Sequence, residues 1–286
     1  MQLGSEVRVV LEPGVSVRLL VRAEADRELR LVASQETVDV SLEVELSDGS
    51  ASARRFDHPG GRYGRELVLL PATTSLRAVV VRATQRGATT LSLEALTEEP
   101  AAAEADWTLG AELWARVLRG GAEAGLRRRT SDAFVRAAAA AGERGDRSLE
   151  AVARLAAGTA AMAVAAVDAR TQLEAAEGLF ASLGDARGRA AANAELGVLA
   201  WRTGRLDDAD AHHRRALDAR RRAGDALGEA ESRNNLALVA QMRGRHASAK
   251  DGYGRALELA RQADARELAA AVVQNLGSLH HERGRL

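Results

Sequence analysis

Between positions 38 and 46 the chain alternates strictly: Val38, Val40, Leu42, Val44 and Leu46 are apolar, and Asp39, Ser41, Glu43 and Glu45 fall between them. A period of two puts all the apolar side chains on one side of an extended chain, so the spacing predicts a strand with one buried face. Ser47-Asp48-Gly49 then closes it with turn chemistry. The same alternation recurs at Val7/Val9/Leu11, Val15/Val17/Leu19/Val21, Leu29/Leu31, Leu67/Leu69, Val79/Val81 and Leu91/Leu93/Ala95, with Pro13-Gly14, His58-Pro59-Gly60-Gly61 and Arg86-Gly87 as interruptions. About seven short strands at roughly ten-residue spacing predict an antiparallel β-sandwich over residues 1–98.

Beyond residue 105 the pattern changes. All four prolines (Pro13, Pro59, Pro71, Pro100) lie in the first hundred residues, and proline is excluded from helix interiors, so the remainder is free to be helical. Glu98 to Ala105 reads as the junction, with a linker at 99–106 and an atypical helical hairpin or cap at 107–145, where Leu109, Leu113, Trp114 and Val117 have helical spacing. From residue 190 onward the sequence repeats with a 40-residue period. Leu196, Leu236 and Leu276 align, as do Gly197, Ala237 and Gly277, then Gly204, Gly244 and Gly284, each glycine of the last set being followed by arginine. Ala209 matches Ala249, His213 matches Tyr253, and Ala216-Leu217 matches Ala256-Leu257. An eroded copy at about 150–185 keeps Ala156, Ala157, Ala169, Leu173 and Ala176 in register. Gly145-Asp146, Gly184-Asp185 and Gly224-Asp225 mark the joints, each aspartate placed to cap the following helix, and Asp264 to Glu267 has the form of a capping box. A fixed period of this length predicts stacked helical hairpins.

Numbered from Ala190, Ala230 and Ala270, the repeats carry small residues at the eighth (Gly197, Ala237, Gly277) and twentieth (Ala209, Ala249) positions and alanine at the twenty-seventh (Ala216, Ala256). This resembles the tetratricopeptide repeat, in a longer-helix form. The expected fold class is therefore multidomain β + α: an N-terminal antiparallel β-sandwich followed by an all-α tetratricopeptide-repeat solenoid, with repeats over 146–286. The resemblance implies a concave groove lined by the first helix of each repeat. The groove positions are Ala191, Ala194, Val198, Trp201 and Arg202, then Glu231, Asn234, Leu238, Gln241 and Met242, and in the incomplete third copy Ala271, Gln274, Ser278, His281 and Glu282. Asn234 and Gln274 suit an extended peptide backbone, Arg202 a carboxylate, and Trp201 an aromatic anchor. The competing reading is that Trp201 packs between helices and the amides are solvated.

Charge removes several function classes. Forty basic and forty acidic residues cancel over 286 positions, leaving no bulk attraction for nucleic acid or an anionic membrane. Lys250 is the one lysine, so clusters such as Arg127-Arg128-Arg129 and Arg220-Arg221-Arg222 read as solvated faces in an arginine-biased composition. Cysteine is absent, which excludes disulfides, cysteine nucleophiles and thiolate metal sites. The histidines (His58, His212, His213, His246, His280, His281) show no metal-binding spacing, and no Walker loop, nucleophile elbow or dinucleotide fingerprint occurs. Loop residues Asp26, Asp48, Asp57 and His58 are candidate ligands but read as turn formers. No catalytic residue, metal or cofactor is implied, no signal peptide or membrane-spanning run is present, and a cytoplasmic protein is the default.

The order of parts, a sandwich, then arginine- and alanine-rich helices, then repeats, resembles the N-terminal part of bacterial CHAT-domain proteins, in which a caspase-like peptidase domain follows. Its His/Cys dyad has no counterpart here. The resemblance implies a non-enzymatic recognition or regulatory arm that binds a protein or peptide, the peptidase domain itself included. The chain is expected to be a fragment whose last helix leaves Val272, Leu276 and Leu279 uncovered. The alternative is that the sandwich binds carbohydrate or a surface ligand, with the repeats as spacer.

Overall fold

The computed structural model describes residues 4–12, 15–23, 29–35, 40–46, 54–56, 65–70, 76–83, 87–95, 102–120 and 125–282. Asp26, Asp48, Asp57, His58, Val38, the four prolines and Gly284 lie outside them. The alternating segments form eight strands: β1 (Glu6–Leu11), β2 (Ser16–Ala23), β3 (Leu29–Gln35), β4 (Val40–Leu46), β5 (Arg54–Phe56), β6 (Arg65–Leu70), β7 (Leu76–Ala83) and β8 (Gly87–Ala95). They pair antiparallel in two four-stranded sheets, β1-β8-β3-β6 and β2-β7-β4-β5. Leu31 stands opposite Leu93 in one sheet, and Val44 opposite Val79 in the other. The inward residues of both sheets, among them Leu29, Leu31, Leu91, Val40, Leu42, Val44, Val79 and Val81, meet in one cluster. That shared core makes the fold a β-sandwich.

Helix α1 (Ala102–Leu118) begins inside the stretch read as a linker. It packs against β5 and β6, placing Ala111 in the inter-sheet core. The backbone N–H of Leu69 on edge strand β6 donates to Thr108 Oγ1 at 3.1 Å, which occupies a donor that an open edge leaves bare. This covering explains why β6 is apolar on successive residues: Val68 and Leu70 enter the sandwich core, and Leu67 is also buried. The inward pair is thus Val68/Leu70 rather than Leu67/Leu69. The buried stripe of α1 likewise runs through Ala103, Trp107, Gly110 and Ala111, while Leu109 is exposed.

Helices α2 (Leu126–Glu143), α3 (Arg147–Ala161) and α4 (Ala166–Ser182) follow. Phe134 meets Trp107 edge-on with centroids 5.2 Å apart, over Gly110, where a Cβ would lie 2.7 Å from the Phe134 ring. Glu150, 5% exposed, is held by Arg147 at 2.7 Å and Arg154 at 2.9 Å. Burial opposes its charge, but those two arginines outweigh it and keep the carboxyl below its usual range. The alanine-rich stretch from 152 to 167 is two helices with a turn between them. Among the described residues no helix is long and apolar enough to cross a membrane.

The chain divides into two compact units, Met1–Leu179 and Phe180–Leu286. In the second, α5 (Ala186–Arg202), α6 (Leu206–Arg222), α7 (Ala226–Met242), α8 (His246–Gln262) and α9 (Arg266–Glu282) each have 17 residues. α5 pairs with α6, and α7 with α8, as hairpins. At the joints Asp146, Asp185 and Asp225 accept from Leu149, Gly188 and Gly228 N–H, each at 2.9 Å, the capping the sequence predicts. Asp264 departs from expectation. At φ +49° it takes the left-handed place held by Gly224 one repeat earlier, so it precedes the cap position and forms no capping box. The residues expected to be uncovered on α9 are also reassigned. Val272 and Leu279 are 0% and 1% exposed, and Leu276 packs with them against Ala237, Ala249, Tyr253 and Ala256.

Candidate functional site

Successive first helices are joined by side chains 41 residues apart, one more than the repeat. Trp201 Nε1 donates to Met242 Sδ at 2.7 Å. Asn275 Nδ2 donates to Asn234 Oδ1 at 2.9 Å, and Gln241 Nε2 donates to Glu282 Oε1 at 2.8 Å. These rungs tie α5 to α7 and α7 to α9, and of the expected groove positions they join Trp201 to Met242 and Gln241 to Glu282, and hold Asn234. Of the expected positions Arg202, Met242, Ala271, Gln274, Ser278, His281 and Glu282 are exposed. Ala191, Val198, Trp201, Glu231, Asn234 and Leu238 are half-buried, and Ala194 and Gln241 are buried.

The candidates differ in what they have left to offer. Gln241 is committed twice, since its Oε1 accepts from the Tyr253 hydroxyl at 2.8 Å while its amide nitrogen serves Glu282. Tyr253 is fully buried, and burial, with Glu282 nearby, pushes its hydroxyl up to about 12. Trp201 packs with Ala200, Leu206, Ala209 and Val239, which realises the competing reading for its ring. Its edge reaches the exposed Met242 thioether, so the pair forms a soft apolar platform beside Arg202.

Arg220 does not belong to a solvated arginine face, contrary to what the sequence predicts. Its guanidinium, 13% exposed, lies 3.2 Å from Glu231 and donates to Gly228 O at 3.0 Å and Ser232 Oγ at 2.9 Å. No room remains for a side chain at Gly228, where a Cβ would sit 2.7 Å from Arg220 Cδ. Glu195 shares this neighbourhood. Burial pushes its carboxyl up to about 7, with Glu231 adding to the rise and Arg220 opposing it. His213, 2% exposed, is driven down to about 4 by burial, Arg220 and His212. Its ring fills the space over Gly197, where a Cβ would meet it at 2.5 Å, while His212 Nδ1 lies 2.9 Å from Asn193 Oδ1.

Sequence reading names Asn234, Gln241 and Glu231 but misses their respective partners Asn275, Tyr253 and Arg220. The signal was present: each rung joins one groove position to its own repeat-mate shifted by one residue. Among the described residues, no three His, Asp or Glu side chains gather as a metal ion requires. What the row offers is a surface of amides, a thioether, an aromatic edge and single charges. Residues 188–262 match the tetratricopeptide repeat family, a span that covers most of α5 through α8. No curated protein matches the chain.

Proposed function

We propose that the repeats are a non-enzymatic protein-interaction scaffold, taking an extended segment of a protein partner along the row formed by α5, α7 and α9. The observation that carries this reading is the set of rungs, which spends side-chain hydrogen bonds on aligning first helices and keeps Arg202, Met242, Gln274, Ser278 and His281 exposed beside them. A preorganised row lowers the cost of ordering on binding. The match to the tetratricopeptide repeat supports the same role. The order of sandwich, helices and repeats supports a place as the recognition or regulatory part of a CHAT-type peptidase system.

The test is the full chain carrying Arg202→Glu, Gln274→Ala and Ser278→Glu together, which leaves the rungs intact. These positions are exposed, so thermal unfolding is expected to shift little, while capture of partners from a lysate of the native organism is lost. Unchanged capture by the folded variant sinks the reading.

A further inference from the structure

Two neighbouring hairpin ends in the first unit depart from the polar turns of the repeats. The turn between α5 and α6 is Thr203-Gly204-Arg205, and that between α7 and α8 is Arg243-Gly244-Arg245. In the register of Gly204-Arg205, one 40-residue period earlier, α3 and α4 are joined by Met162-Ala163-Val164-Ala165, and α4 opens with Ala166-Val167. Val164 is 53% and Val167 79% exposed. The turn itself is firmly built, since the N–H groups of Val164 and Ala165 both donate to Ala161 O at 2.9 Å. Fraying therefore does not account for apolar side chains held in water at this place.

The end of the α1/α2 hairpin lies beside that turn. Ser131 Oγ, in the second turn of α2, donates to Ala157 O near the end of α3 at 3.0 Å, which brings the start of α2 next to the end of α3. At the start of α2 the Arg127 guanidinium lies over the Trp114 ring, 5.5 Å from its centroid, so the last turns of α1 share the same end. Leu118, the final residue of α1, is 53% exposed, and Arg119, Arg128 and Arg129 are exposed at this end with it. Residues 114–129 contain five arginines (Arg116, Arg119, Arg127, Arg128 and Arg129) against one acidic residue, Glu123. Asp132 and Asp168 are exposed nearby in sequence, and the local balance stays basic in a chain whose total charge is zero.

We propose that this end of the first unit rests on an anionic phospholipid surface, with Leu118, Val164 and Val167 reaching the acyl-chain boundary and the arginines lying on the headgroups. Charge complementarity sets the sign of the partner, because guanidinium forks pair with phosphate and carboxylate oxygens. The aliphatic side chains set its class. A nucleic acid offers phosphates too, but it is gripped by bases stacking on bare aromatic faces, and here the face of Trp114 is taken by Arg127. A bilayer interface accepts aliphatic tips, cations and a half-buried indole at one depth. The contact is peripheral and asks for no helix across the membrane.

The test is cosedimentation of the full chain with phosphatidylcholine vesicles that contain or lack phosphatidylserine. Binding is expected with phosphatidylserine only, and it weakens as salt rises from about 0.1 to 0.5 M. Arg119→Gln with Arg128→Gln is expected to weaken it about thirty-fold, each arginine at an anionic surface contributing about five-fold. Val164→Ser with Val167→Ser keeps every charge and is expected to weaken it at least about ten-fold, through lost apolar burial. All four positions are exposed, so thermal unfolding reports whether each variant keeps its fold. Absence of binding by the parent chain to phosphatidylserine vesicles at low salt overturns the inference whatever the variants do. Undiminished binding by the folded valine variant also overturns it, as does tighter binding of the parent chain to a duplex DNA oligonucleotide than to the vesicles, since either result leaves a contact made by charge alone.

Discussion

Single residues here carry opposite energetics at equivalent positions. Gly197 and Gly277 share a repeat position, yet a Cβ at Gly197 meets the His213 ring at 2.5 Å, and among the described residues one at Gly277 meets no side chain or neighbouring element within 4 Å. Gly277→Ala is therefore expected to stabilise by about 0.5–1 kcal/mol through helix propensity. Gly197→Ala is expected to lose that gain and about 1 kcal/mol more to overpacking; paired thermal melts check both signs. His213 and Glu195 make stability depend on pH in opposing directions. His213 is held near 4 against an ordinary 6.5, so the unfolded chain takes up its proton first, and stability falls as pH drops from about 6.5 toward 4. The loss amounts to at most about 3 kcal/mol. Glu195 is raised to about 7 from 4.5, so its contribution is full below about 4.5 and is lost as pH rises toward 7. Denaturant titrations from pH 4 to 8 are expected to show His213→Phe gaining on the parent chain as pH falls, and Glu195→Gln gaining as pH rises. Neither shift is readable from sequence, because burial causes both, with Arg220 deepening the fall at His213 and opposing the rise at Glu195, and Arg220 itself looks like one of three surface arginines.

At the scale of the element, the joints and the strands were legible because their chemistry is local. Each Gly-Asp pair supplies a left-handed residue and a carboxylate that caps the next helix within three residues. Asp225→Ala is expected to cost about 1 kcal/mol for the lost cap, read as a lower denaturation midpoint. Asp264 defeated the same logic because a capping box was matched by residue type, while the 40-residue register puts it in the glycine column. Helix α1 was misplaced for a related reason. Its first turns bury Ala103 and Trp107, which carry little periodic signal, and of the two leucines that do carry one Leu113 is buried while Leu109 faces out. The consequence for β6 is measurable: Thr108→Val leaves the Leu69 N–H without its acceptor and is expected to destabilise the first unit by about 1–3 kcal/mol. Chemical denaturation followed by near-UV circular dichroism reports it.

For the whole molecule, sequence established the order of a sandwich followed by stacked hairpins, and the two units have contents that composition alone did not mark. The first unit joins sheet and helix, since α1 contributes Ala111 to the inter-sheet core and Thr108 to an edge strand. Residues 1–98 expressed alone are accordingly expected to be less stable and more prone to aggregate than residues 1–145, as size-exclusion chromatography and denaturant midpoints of the two would show. The row of candidate residues was legible as positions but not as a linked set, because a repeat consensus describes each helix by itself and the rungs run between copies. Those rungs also constrain how such a chain can change over generations. Because each joins residues 41 apart, a single codon gained or lost within a helix between two partners turns one of them about 100° off the shared face. Duplication or deletion of a complete forty-codon block leaves all remaining pairs matched. Gain or loss of whole modules is therefore the expected way for such an array to change length.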